Sequence, residues 1–116
     1  MKESALQSLI VDYLRTILPP SQYRVCAMPN ASRRTASGRA SNAVAGLTPG
    51  FPDLIILGAG RLFLMEVKTT KGALSDVQTQ FGIWCNLNRT PWAVVRSLND
   101  VDACLSFWGI ETRRAK

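Results

Sequence analysis

The stretch PDLIILGAGRLFLMEVK, residues 52–68, decides the fold. Two continuous apolar runs, 53–57 and 62–67, flank Gly58-Ala-Gly-Arg61. Runs this short and this apolar suit buried strands, and the glycines between them predict a tight hairpin. With Ala59 and Gly60 as a two-residue tip, paired residue numbers sum to 119, which sets Asp53 opposite Glu66. Opposed residues on antiparallel strands hold their Cβ atoms about 4.5–5.5 Å apart on one face, and period two adds Lys68 to that face. A bulge at the glycines would shift the register by one. The same face carries Ile55, Leu57, Leu62 and Leu64, the opposite one Leu54, Ile56, Phe63, Met65 and Val67, so both faces are expected to be covered.

Two ionised carboxylates about 5 Å apart repel by roughly 3 kcal/mol at an effective dielectric near 20. One lysine offsets part of this. A hard divalent cation between the oxygens, Mg²⁺ or Mn²⁺, offsets it better. Such a site polarises a phosphoryl oxygen and acidifies a water, while Lys68 orients that water or neutralises developing charge. Each residue also has an ordinary reading: Asp53 as a turn acid after Pro52, and Glu66 with Lys68 as a surface pair at a strand end. It is their combination, amid apolar strands and few other acids, that points to chemistry.

Outward from the hairpin, Leu6, Leu9, Ile10, Tyr13, Leu14 and Ile17 form the stripe of an amphipathic helix over about 2–18, closed by Pro19-Pro20. Residues 23–28 read as a strand stopped by Pro29, and 30–50 as a long loop of small and polar residues with arginines. Ser75-Asp-Val-Gln78 is a capping box opening a helix whose Val77, Phe81, Trp84 and Cys85 share a face. A strand over 90–96 and a helix over 99–108, with Val101, Cys104, Leu105 and Trp108 inward, complete a single domain over 1–116 in the order α-β-loop-β-β-α-β-α.

The 116 residues carry 14 Lys plus Arg against 8 Asp plus Glu, for a net charge of +6. Residues 13–52 hold five arginines and no acid, a basic surface that either attracts nucleic acid or simply keeps the chain in solution. There is no histidine, which excludes Ser-His-Asp and Cys-His catalysis, HNH-type nucleases, and HExxH or Cys₂His₂ zinc sites. Three widely spaced cysteines, never in a CxxC pair, read as reduced thiols of an intracellular protein. No run reaches the ~18 apolar residues of a membrane span, and the N-terminus, with Glu3 and Asp12 in its apolar pattern, does not read as a signal peptide. The expectation is a cytoplasmic domain without membrane contact.

Gly50-Phe-Pro-Asp53, then Glu66-Val-Lys68, then Gly72-Ala-Leu-Ser75-Asp-Val-Gln78 together resemble the virus-type replication-repair nuclease (VRR-NUC) domain of the PD-(D/E)XK superfamily. The match covers about residues 1–100. PD or ExK alone is a weak signal; the ordered trio is a strong one. The resemblance implies a restriction-endonuclease-like α/β core, a mixed central sheet flanked by helices. Asp53 and Glu66 would ligate Mg²⁺ or Mn²⁺, the Val67 carbonyl adding a ligand and Lys68 completing the catalytic set. It also implies an acid on the first helix, for which Glu3 is the candidate because it shares the stripe of Leu6 and Ile10. Glu3 equally reads as a first-turn acid answering the helix dipole. Gln78 matches the family's glutamine near the active site, and is also the N3 residue of the capping box.

Small stand-alone members of the family are similar to phage and bacterial junction-cleaving enzymes of DNA repair, which implies a homodimer on branched DNA such as four-way junctions, in a bacterial cell or phage-infected host. Trp92, Trp108 and Ile110 could line such an interface or belong to the core. Arg33, Arg34, Arg39 and Lys71 are the expected phosphate contacts. The expected function is a Mg²⁺- or Mn²⁺-dependent, structure-selective endonuclease. The alternatives are a nuclease acting on linear duplex and a non-catalytic DNA-binding module.

Overall fold

The computed structural model describes residues 1–28 and 45–113. Its elements run α1 (Glu3–Ile17), β1 (Tyr23–Ala27), β2 (Leu54–Gly58), β3 (Arg61–Val67), α2 (Asp76–Leu87), β4 (Trp92–Val95) and α3 (Leu98–Phe107). The four strands form one mixed sheet in the order β1-β2-β3-β4, antiparallel except for the parallel β3–β4 pair. This is an α/β fold, and its element order is the one expected from sequence. The loop expected over 30–50 lies outside the described residues except at its end.

The hairpin forms in the expected register: Gly58 pairs with Arg61 and Leu54 with Met65, with no bulge between. Ala59 and Gly60 at the tip have φ of 54° and 70°, the left-handed pair that a two-residue turn needs to follow the strands' twist. One face of the sheet, with Leu54, Ile56, Phe63, Met65, Val67 and Val95, packs against Leu6, Ile10, Leu14 and Ile17 of α1 and Val101 and Leu105 of α3. The Tyr13 hydroxyl donates to Asp102 at 2.6 Å, tying α1 to α3.

The opposite face is covered only in part, which corrects the expectation that both would be closed. α2 packs over β4, and Leu64 and Glu66 beneath it are almost fully buried, but Leu57 and Leu62 near the hairpin tip remain 41% and 39% exposed. A twelve-residue helix over one side of the sheet does not reach them.

The inward face of α2 also differs from the apolar stripe. Cys85 is buried as expected and Phe81 is half-buried against Phe51, but Val77 and Trp84 are about half exposed. Gln78, Gly82 and Cys85 meet the sheet instead. Trp92 fills the space beside Gly82 so closely that a Cβ there would lie 2.5 Å from its ring. A small-residue stripe wins over the apolar one because the sheet supplies the bulk. In α3 the expectation holds: Val101 and Leu105 are buried, with Cys104 and Trp108 packed beside them. Trp108 lies against Phe63 at 5.1 Å and Ile110 joins the core. All three cysteines are free thiols. No described helix is long and apolar enough to cross a membrane.

Candidate active site

Asp53 stands at the entrance to β2, where its carbonyl accepts from the Met28 N–H at 2.8 Å and so extends the β1–β2 ladder. Its side chain reaches across the hairpin, Oδ2 accepting from the Val67 N–H at 2.8 Å. The register carried one step beyond Leu54–Met65 puts Asp53 against Glu66. Local backbone pairing thus brings together two acids thirteen residues apart in the chain.

Glu66 is only 1% exposed. Its Oε2 accepts from Gln78 Nε2 at 3.2 Å, while Oε1 is buried without a hydrogen-bond partner. Burial pushes the Glu66 pKa up to about 9. Asp53 adds to the shift, as an acceptor for a proton on Glu66 and through its own charge; Lys68 opposes it, and Glu3 adds slightly. With both acids ionised, Oε1 faces no donor, and either a proton shared with Asp53 or a bound cation satisfies it.

Lys68 continues from β3, its backbone N–H donating to the Val95 carbonyl at 3.1 Å. The side chain is largely buried, and Nζ lies 3.9 Å from Glu3 Oε2. Glu3 is therefore the first residue of α1 and also a neighbour of the site, reaching it through the lysine. Both readings of Glu3 are compatible with this placement.

Gln78 likewise does two things with two ends of one amide. Its Oε1 accepts from the Ser75 N–H at 2.9 Å while Ser75 Oγ accepts from the Gln78 N–H at 3.3 Å, which is the capping box. Its Nε2 is left to hold Glu66. Because the cap fixes the side chain's direction, the donor arrives at Glu66 already oriented.

Two further residues shape the site without having been singled out for it. Gly50, with φ of 78°, passes so near the first turn of α2 that a Cβ would lie 2.4 Å from the Val77 carbonyl oxygen. Only glycine permits this approach, which seats the helix end that carries Gln78. Arg96, just past β4, donates from Nη1 to the carbonyls of Thr69 and Gly72, both at 2.6 Å. It braces the turn that joins Lys68 to the cap of α2. The glycine belongs to the motif quoted above; nothing in the sequence marks the arginine.

The structure thus assembles Asp53, Glu66, Lys68, Gln78 and Glu3 at one end of the sheet, with Lys71 exposed on the turn that follows. Arg33, Arg34 and Arg39 lie outside the described residues. Among the described residues, no three His, Cys, Asp or Glu side chains are grouped to hold a metal ion. The donors available to one are the Asp53 and Glu66 carboxylates and the backbone between Glu66 and Lys68. Comparison of the chain with protein-family models, with curated proteins and with solved structures returns no match.

Proposed function

We propose that the chain is a divalent-metal-dependent, structure-selective DNA endonuclease of the VRR-NUC type within the PD-(D/E)XK superfamily, acting on branched DNA such as four-way junctions, as a homodimer. The observation that carries this reading is the buried Glu66 beside Asp53, whose Oε1 has no donor in the fold and is answered only by a proton shared with Asp53 or by a cation, with Lys68 two residues further along the chain. An orphaned carboxylate oxygen next to a second acid is costly in a purely structural core, and a hard cation relieves it.

Asp53, Glu66 and the Val67 carbonyl are the groups that would hold Mg²⁺ or Mn²⁺. When bound, the ion supplies Lewis-acid polarisation of a phosphoryl oxygen and lowers the pKa of a water. The chain's own residues do the rest. The Val67 N–H fixes one oxygen of Asp53, and Gln78 fixes one of Glu66, so both carboxylates are aimed before substrate arrives. Lys68 presents an ammonium that orients the attacking water or offsets charge developing on the phosphate, and Glu3 restrains it. Lys71 and the arginines of the 30–50 segment supply phosphate contacts.

Cleavage of a four-way junction and of linear duplex, with Mg²⁺, Mn²⁺ or EDTA, tests the proposal. Asp53→Asn, Glu66→Gln and Lys68→Ala should each abolish cutting while DNA binding survives. Full activity in EDTA or in Glu66→Gln would refute it. Equal cutting of linear duplex would instead assign a general nuclease.

A further inference from the structure

Immediately beyond Lys68, the Thr69–Lys71 turn forms one wall of a cleft of about 570 Å³. Leu6 and Leu9 of α1 and Leu98 of α3 supply apolar surface, while Thr70, Lys71 and Arg96 supply the polar side. Among the described residues no carboxylate lines it. The volume falls within the ~300–1,000 Å³ of small-molecule sites, and an apolar lining with a few placed polar groups is their usual composition. The turn wall is braced, since Arg96 holds the carbonyls of Thr69 and Gly72. Leu9, expected from sequence on the buried stripe, is 42% exposed, because α1 turns Leu6, Ile10, Leu14 and Ile17 to the core and leaves Leu9 at their margin.

The lining calls for an occupant with two parts, an apolar body for the leucines and a negative charge for the cations. A phosphate alone leaves the leucines uncovered, and an uncharged apolar molecule leaves the exposed ammonium of Lys71 unanswered. A nucleotide has both parts. The base must be free, because in a duplex its faces are stacked on neighbours and extruding it costs unstacking and unpairing. Lys68 directly precedes Thr69 in the cleft wall, so the cleft lies one residue along the chain from the proposed site.

Resting on the nuclease reading above, we propose that this cleft holds one unpaired nucleotide of the substrate strand, its base on Leu6, Leu9 and Leu98 and its phosphate on Lys71. The cleft then selects strands with free bases, at tails and branch points, over continuous duplex. This is a source of structure selectivity within one subunit.

The test is equilibrium binding in EDTA, read by fluorescence anisotropy, of a fluorescein-labelled duplex with a three-nucleotide single-stranded tail, the same duplex blunt, and the same tailed duplex with abasic residues in the tail. The tail should tighten binding about tenfold over blunt duplex, the order expected when part of a base face is moved from water onto leucine surface. The abasic tail should forfeit that gain. Leu9→Glu, which puts a carboxylate on the apolar surface, and Thr70→Trp, which fills the cleft from an exposed position, should each bring the tailed-to-blunt ratio close to one. An abasic tail that binds as tightly as the intact one shows attraction to the backbone alone and overturns the proposal. So does a wild-type ratio of one, or a ratio that both variants leave intact. Binding in EDTA does not require cleavage, so absence of cutting on any substrate refutes the nuclease reading, whereas junction cutting with no tail preference refutes the cleft alone.

Discussion

Replacing Glu66 with glutamine should make the metal-free protein more stable, by an amount that grows with pH. In the fold Glu66 is 1% exposed and holds its proton up to about pH 9, whereas in the unfolded chain it releases it near 4.5. Between those values the native state binds one proton more than the unfolded state, so wild-type stability falls as pH rises through the window, and the fall ends only above pH 9. Keeping the carboxyl protonated costs about 1 kcal/mol at pH 5 and about 5 kcal/mol at pH 8 on this reasoning. Glutamine has the same shape, can accept from Gln78 and can donate to Asp53, and has no proton to lose. The variant should therefore exceed wild type by little at pH 5 and by several kcal/mol at pH 8. Urea unfolding in EDTA at the two pH values measures the difference, with Asp53→Asn as a companion that removes the neighbouring charge. A gain that is equal at both pH values, or a loss at pH 8, would show that Glu66 is ionised in the metal-free fold. Stability given up at the residue proposed to do the chemistry is the usual mark of a functional carboxylate.

Three further expectations come from the same contacts. Mn²⁺ binding should displace the Glu66 proton, so its affinity should rise about tenfold per pH unit between pH 5 and 9; calorimetry in buffers of different ionisation enthalpy should find about one proton released, and a pH-independent affinity would contradict the raised pKa. Gln78→Glu keeps an acceptor for the Ser75 N–H but removes the donor to Glu66, so junction cleavage should drop at least tenfold while helix content by circular dichroism is unchanged; undiminished cleavage would leave Gln78 as a cap alone. Gly82→Ala would ordinarily favour a helix by up to ~1 kcal/mol. Here the added Cβ meets the Trp92 ring at 2.5 Å, so a net loss of about 1–3 kcal/mol is expected in chemical unfolding; a stabilised variant would refute the close packing of α2 on β4.

The hairpin was readable because its information is local. Two apolar runs, a glycine-containing tip of two residues and the strand period predict the register that opposes Asp53 to Glu66, and the structure has it without the bulge that would have shifted it. The capping box was readable for the same reason: Ser75 and Gln78 lie within one turn of each other. The inner face of α2 was not. Its apolar residues mark a stripe through Val77 and Trp84, but the sheet presents Trp92 and Glu66, and these accept glycine and glutamine rather than more bulk. Hydrophobic periodicity finds the helix but cannot weigh the shape of what it packs on.

The sequence by itself determined the element order, the hairpin and the candidate set of Asp53, Glu66 and Lys68, because each follows from spacing along the chain or across one tight turn, while the absence of a bulge is read from the fold. Only the tertiary structure decided that Glu3 meets Lys68, that Gln78 serves cap and carboxylate at once, and that Arg96 braces the turn between them. It also decided that Glu66 is buried with one oxygen unanswered. These contacts join residues up to 65 positions apart, and their existence depends on how α1, α2 and the β4–α3 junction pack around the end of one strand. Burial, and the shifted proton affinity that comes with it, is a property of that packing.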